Sequence, residues 1–149
     1  NKRPIQRQKY RLQELARWSE FLKVKLNPEP KFFPSRSMLP SLAIISAKLL
    51  KYENVMDIAY RIMEALWLKE LDIDDEGTLK SIISKLIPTA EELLDYSKKD
   101  IVTDELVKNT EKALKTSVFG APTYIIDNQV FWGQDRLDFV ERYIKRQGS

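Results

Sequence analysis

The 149-residue sequence contains no cysteine. These residues therefore hold no disulfide, no Cys-x-x-Cys redox pair and no thiolate nucleophile. Histidine is absent as well, which removes the commonest metal ligand and the commonest general base. No apolar run reaches the roughly 18 residues that a membrane-spanning helix needs, and no stretch has the build of a signal peptide. There is no internal repeat and no low-complexity tract. The sequence starts at Asn1 without an initiator methionine, inside what reads as a loop. The expectation is a polypeptide whose first part precedes this residue.

What is present is the composition of an ordinary globular chain. The length is one domain's worth, and the 43% hydrophobic share is typical of folded domains. A chain of this size buries roughly two-thirds of its surface on folding. The net charge of +3 decides little about partners, but its distribution is uneven. Lys2, Arg3, Arg7, Lys9, Arg11, Arg17, Lys23 and Lys25 face only Glu14 and Glu20 in the first 25 residues. This cluster reads as a solvated helix face or an anionic-ligand pocket, ahead of a nucleic-acid surface.

Periodicity predicts a largely helical first three-quarters. Leu12, Leu15, Trp18 and Leu22 recur at three- and four-residue spacing, which predicts a helix over about 5–23. Three prolines between Asn27 and Pro34 exclude a helix there and favour an extended, edge-like segment. Leu26–Phe33 is thus a candidate strand. Ser37–Leu50 returns to helix, with a nearly continuous apolar stretch. Asn54 is placed to cap the next helix, whose stripe is Val55, Ile58, Ile62 and Leu66. An acidic turn, Asp72–Gly77, precedes a helix over Thr78–Leu86. Pro88 suits the first turn of a helix to about Lys98, and Thr103–Thr116 forms another. Trp18, Trp67 and Trp132 read as core residues rather than pocket residues.

After Gly120 the pattern changes. Tyr124–Ile126 and Val130–Trp132 read as two strands around Asp127-Asn128-Gln129, a hairpin signal. A final helix over Asp135–Arg146 would turn Leu137, Val140 and Ile144 inward. A lone hairpin is marginal in water, a second reason to expect strands beyond these residues. Pro122 at the strand entrance has no N–H and leaves the peptide of Ala121 free for a ligand. Gly133-Gln134-Asp135 opens a helix, and helix N-termini attract anions.

The run Val118-Phe-Gly-Ala-Pro-Thr123 followed by Phe131-Trp-Gly-Gln-Asp-Arg-Leu137 resembles the C-terminal half of a thioredoxin fold. It resembles more narrowly the 2-hydroxychromene-2-carboxylate isomerase and kappa-class glutathione transferase family. The likeness continues at Arg11-Leu-Gln-Glu-Leu-Ala-Arg-Trp18, at Tyr60–Asp74 and at Leu106-Val-Lys-Asn-Thr-Glu-Lys-Ala113. It covers essentially the whole chain as the last three-quarters of a family member.

The resemblance implies an α/β, thioredoxin-like (DsbA-type) single domain with a helical insertion, its first strand and helix missing. Residues 1–34 would be the remainder of the first βαβ half, 35–116 the insertion and 117–149 the ββα half. It implies glutathione as cofactor. The Ala121 backbone, before a cis Pro122, would pair with the cysteinyl part of the tripeptide, and Gln134 and Asp135 would recognise its γ-glutamyl end. Asn1 would stand for the family's Asn in a Gly-Asn-Lys/Arg-Pro-Pro loop. No catalytic residue is expected in this chain, because the family's activating Ser or Cys lies upstream. The implied activity is a glutathione-dependent isomerisation of an aromatic or unsaturated 2-oxo acid, in the cytoplasm, with a homodimer as the expected assembly.

Each of these residues has a plainer reading. Asp135 suits a helix cap, Gln134 a loop position and Pro122 simple strand punctuation. A kappa-type transferase shares the same cradle. A DsbA-like thiol–disulfide oxidoreductase shares the fold but needs a Cys-x-x-Cys upstream. A helical module binding an acidic partner or nucleic acid through the basic N-terminal face is the reading from another class.

Overall fold

In the computed structural model, which describes residues 4–148, the first helix, α1, spans Ile5–Leu22. Pro4 precedes it, where a missing N–H and a fixed φ cost nothing. Lys23 ends it in the left-handed region at φ 55°, and its N–H and that of Val24 close back on Glu20 O and Ser19 O. Leu12, Leu15 and Trp18 are half-buried, whereas Leu22 is 58% exposed. Spacing places Leu22 on the stripe, but among the described residues its side chain stays largely uncovered.

The Pro-rich segment is not a strand. Prolines 28, 30 and 34 offer no N–H to a ladder, and side chains hold the loop instead. Asn27 Oδ1 accepts from Glu29 N at 3.0 Å, and Phe33 N donates to Pro30 O at 3.1 Å. Asn27 N donates to Trp67 O at 2.9 Å, while Glu70 accepts from Asn27 Nδ2 at 2.7 Å and Lys31 N at 3.3 Å. The segment is therefore tied to Trp67 and Glu70, not into a sheet. Its Phe33–Pro34 peptide is cis.

Four helices build the main core: α2 (Leu39–Leu49), α3 (Val55–Trp67), α4 (Glu76–Ile83) and α5 (Ala90–Tyr96). The small residues Ala43, Ser46 and Ala47 of α2 are fully buried, so its neighbours approach closely. Ile58, Ile62 and Leu66 of α3 are buried as periodicity required, with Leu79, Ile83, Leu93 and Leu94 opposite. The N-terminus of α4 falls at Glu76 because Asp75 caps it, accepting from Thr78 N at 2.7 Å. Asn54 occupies the cap position of α3 without capping; its amide donates to Leu86 O at 3.4 Å.

Asp74 closes the loop ahead of α4. It accepts from Ser35 Oγ at 2.6 Å and from Arg36 N at 2.7 Å. The Ser35 hydroxyl, followed by the backbone N–H groups of Arg36 and Ser37, holds its carboxyl below the usual Asp range against the opposing cost of burial. A carboxylate whose folded pKa is depressed stabilises the fold above its unfolded value, about 3.9. That contribution fades as pH falls through the folded value. Asp74→Asn should cost about 1 kcal/mol at neutral pH, a figure reduced for solvent screening. It should also flatten part of the loss of stability below about pH 4. Urea unfolding of both proteins across that range checks the expectation; parallel pH profiles would contradict it.

The backbone contacts divide the chain into two compact units, residues up to Thr103 and residues from Asp104, with the boundary inside α6 (Asp100–Lys115). In the second unit, strands β1 (Thr123–Ile126) and β2 (Gln129–Trp132) pair antiparallel, Thr123 opposite Trp132 and Ile126 opposite Gln129. Asp127 and Asn128 take φ values of 47° and 64°, the two positive angles of a type I′ turn. A 3₁₀ turn, Gln134–Arg136, leads into the last helix, α7 (Leu137–Gln147).

The inward face expected of α7 is only partly covered. Val140 is half-buried, but Leu137 and Ile144 are 51% and 54% exposed. Contact with the hairpin runs through Tyr143, whose ring lies 5.9 Å from that of Phe131. Two four-residue strands are too narrow a floor for a whole helix stripe. Trp132, read as core, is 46% exposed for the same reason; Trp18 and Trp67 are half-buried. Among the described residues no helix is long and apolar enough to cross a membrane.

Candidate functional site

The turn before β1 is built around Gly120. A Cβ on this residue would lie 2.5 Å from Trp132 Nε1, so the indole packs directly on its backbone. Phe119 adds a ring 4.9 Å from that of Trp132. Thr123 Oγ1 donates to Gly120 O at 2.5 Å and closes the turn. The Ala121–Pro122 peptide between them is cis. Ala121 and Pro122 are both exposed. Neither the N–H nor the C=O of Ala121 is bonded to another described residue. A free peptide N–H and C=O at the surface can take an extended peptide by strand addition.

The ladder extends one step past the strands. Gly133 N donates to Pro122 O at 3.0 Å. This bond sets Gln134 and Asp135 beside the open Ala121 peptide, at the same end of the hairpin. Gly133 itself has φ 117° and ψ 149°, a region that only glycine occupies readily. A Cβ there would collide with Asp135 Oδ1. The glycine is thus what lets the Asp135 carboxylate fold back against the backbone. Asp135 also meets Arg136 Nη1 at 3.3 Å, with about half of each side chain exposed. An ion pair so exposed is worth little and exchanges readily for an incoming cation.

The structure therefore brings four of the five sequence-derived binding residues together: Ala121, Pro122, Gln134 and Asp135. The fifth, Asn1, lies outside the described residues. The cap positions of the 3₁₀ turn and of α7 are held by Gly133 and Arg136, and neither makes a side-chain cap hydrogen bond. Sequence reasoning missed the packing of Trp132 on Gly120; the glycine and tryptophan were both visible, but only the strand register shows that they meet.

The profile of the DSBA-like thioredoxin domain matches residues 2–145. The chain belongs to this family. A 2-hydroxychromene-2-carboxylate isomerase of Sphingobium xenophagum is 33% identical over 79 residues, covering 53% of this chain and 40% of that protein. A protein of the same name from Pseudomonas sp. (strain C18) is 27% identical over 133 residues, 88% of this chain and 59% of its own length. A solved structure of 2-hydroxychromene-2-carboxylate isomerase superposes with a TM-score of 0.75 at 20% identity, over 93% of this chain and 66% of that one. At that identity the superposition establishes the thioredoxin-like fold. The chain spans about 40% and 59% of the two relatives it matches.

Proposed function

We propose that this DsbA-like chain is part of a glutathione-dependent isomerase that acts on an aromatic or unsaturated 2-oxo acid. Its second unit would supply the tripeptide cradle. The observation that carries the reading is the Gly133 N to Pro122 O bond of 3.0 Å, which sets an unpaired peptide beside an exposed carboxylate. The Ala121 N–H and C=O would pair with the cysteinyl residue as a short ladder. Asp135 would take the γ-glutamyl ammonium, displacing Arg136, in a charge-assisted contact. The Gln134 amide and the N–H groups of the opening turn would receive the adjoining carboxylate. Bound glutathione would supply a thiolate that adds reversibly to the substrate, so that a bond can rotate or a ring reclose. Holding the tripeptide by its backbone and its γ-glutamyl end fixes where that sulfur sits, which is the share of the chemistry these residues perform. None of the residues of this cradle is assigned the lowering of the thiol pKa; their part is to bind and place the tripeptide.

Calorimetric titration of glutathione into the 149-residue chain and into its Asp135→Asn variant tests the reading. Asn keeps the shape and removes the charge, so affinity should fall about tenfold or more. Equal affinities, or no heat from either protein at millimolar glutathione, would defeat it.

A further inference from the structure

Three cations gather around one carboxylate where the ends of α3 and α4 come together. Arg61 lies on α3, Lys69 just beyond its end, and Lys85 just beyond the end of α4. All three line a cavity of about 190 Å³, whose apolar lining is Ala65, Leu71, Ile82 and Leu86. Glu64, also in its wall, keeps only 15% of its side chain exposed. It accepts from Lys69 Nζ at 2.7 Å and from Arg61 Nη1 at 3.0 Å. Those contacts, that of Lys69 first, hold its carboxyl below the usual Glu range against the opposing cost of burial.

That single acid does not exhaust the cations. Lys85 has no carboxylate partner among the described residues. Lys69 spends one donor of its ammonium on Glu64, and Arg61 one donor of its guanidinium. Arg61 is further steadied by Tyr60, whose ring centre lies 5.8 Å from the guanidinium carbon. Basic residues near helix C-termini commonly serve the last carbonyls. Here those carbonyls are occupied. Glu64 O and Ala65 O accept from Leu68 N and Leu71 N, while Ile82 O and Ile83 O accept from Lys85 N and Ile87 N. Three positive charges against one negative thus leave a surplus of two beside the cavity.

We propose that this cavity binds a small organic phosphomonoester. Lys85 and the free N–H groups of Arg61 and Lys69 donate to the phosphate oxygens. The short hydrocarbon part lies against Leu71, Ile82 and Leu86. A phosphomonoester carries close to two negative charges at neutral pH, which matches the surplus. A monoanion, such as a phosphodiester, leaves one cation unmatched. The volume is below the lower end for drug-sized ligands, about 300 Å³, and suits a phosphate with a tail of a few carbons. The site lies wholly in the first unit and goes beyond the glutathione reading of the second.

The test is titration of propyl phosphate into the 149-residue chain, without glutathione, followed by amide chemical shifts. A pH of about 7.5 keeps the ester doubly charged, above its second pKa of about 6. Shifts should concentrate on Arg61–Leu71 and Ile82–Leu86 and should saturate. Lys85→Gln removes an exposed, unpaired cation, so it should melt as the parent does and weaken binding about fivefold or more. Lys85→Arg should keep most of the affinity. Arg61→Gln should weaken binding by a similar factor to Lys85→Gln, with Glu64 still held by Lys69. Dipropyl phosphate, one charge short, should bind about tenfold more weakly. Inorganic phosphate, with no hydrocarbon part, should bind the same residues several-fold more weakly. Absence of saturable shifts at millimolar propyl phosphate, or shifts spread evenly over the basic residues of the first unit, would overturn the assignment. So would unchanged affinity in Lys85→Gln, or equal binding of the diester or of inorganic phosphate. Because glutathione is absent, the outcome leaves the tripeptide cradle to be judged by its own titration.

Discussion

Gly133→Ala should cost the protein both local stability and glutathione affinity. Glycine stands at φ 117° there, where an L-residue pays about 1–3 kcal/mol in backbone strain. The added Cβ would also collide with Asp135 Oδ1, so either the carboxylate swings out or the bond from Gly133 N to Pro122 O breaks. Each response separates Asp135 from the Ala121 peptide. Glutathione affinity should therefore fall by about tenfold or more, comparable with loss of the Asp135 charge. Amide exchange at Thr123–Ile126 and Gln129–Trp132 should accelerate in the same variant, since the ladder loses its terminal bond. Calorimetry and hydrogen exchange on one preparation would read both effects. Parental affinity together with parental protection would show that the glycine is not what holds the carboxylate in place.

A larger loss of stability is expected at Leu93. This residue of α5 is fully buried, among a core that includes Ile58, Leu79 and Ile83. Leu93→Ala removes the contacts of the deleted methyl groups and leaves a cavity that helices already in close contact can only partly fill. The expected cost is about 2–5 kcal/mol, a large share of the 5–15 kcal/mol typical of a folded domain. Leu114→Ala is the matched control, because Leu114 is 71% exposed and should change stability by less than about 0.5 kcal/mol. Urea unfolding of the three proteins gives the comparison. A loss below about 1 kcal/mol at Leu93 would mean that the core of the first unit is packed otherwise.

Much of this fold was readable in advance, for identifiable reasons. Periodicity located α3 because Ile58, Ile62 and Leu66 share a face that is buried in fact. The hairpin was readable because Asp127 and Asn128 tolerate the positive φ that the turn imposes. That turn fixes the register, and the register carries Gly133 to Pro122, so the juxtaposition at the candidate site follows from local chemistry.

The misses share a different cause. Prolines made 26–33 extended, but extension is not pairing, and the partner that holds it, Glu70, is about forty residues away in sequence. Spacing put Leu137 and Ile144 on one face of α7, yet periodicity cannot say whether a neighbour covers that face. Asn54 stood at a helix start, but its amide found Leu86 O instead of the cap. Nothing in the spacing of Arg61, Lys69 and Lys85 marks them as a group; they share one cavity only because the ends of α3 and α4 meet in three dimensions.

The reading of the second unit rests on one edge serving one ligand. Titration of glutathione into isotopically labelled chain, followed at each amide, examines that edge directly. Ala121, Gln134 and Asp135 should shift together and saturate along a single binding curve. Shifts confined to the first unit, or separate curves for Ala121 and the Gln134–Asp135 pair, would contradict it.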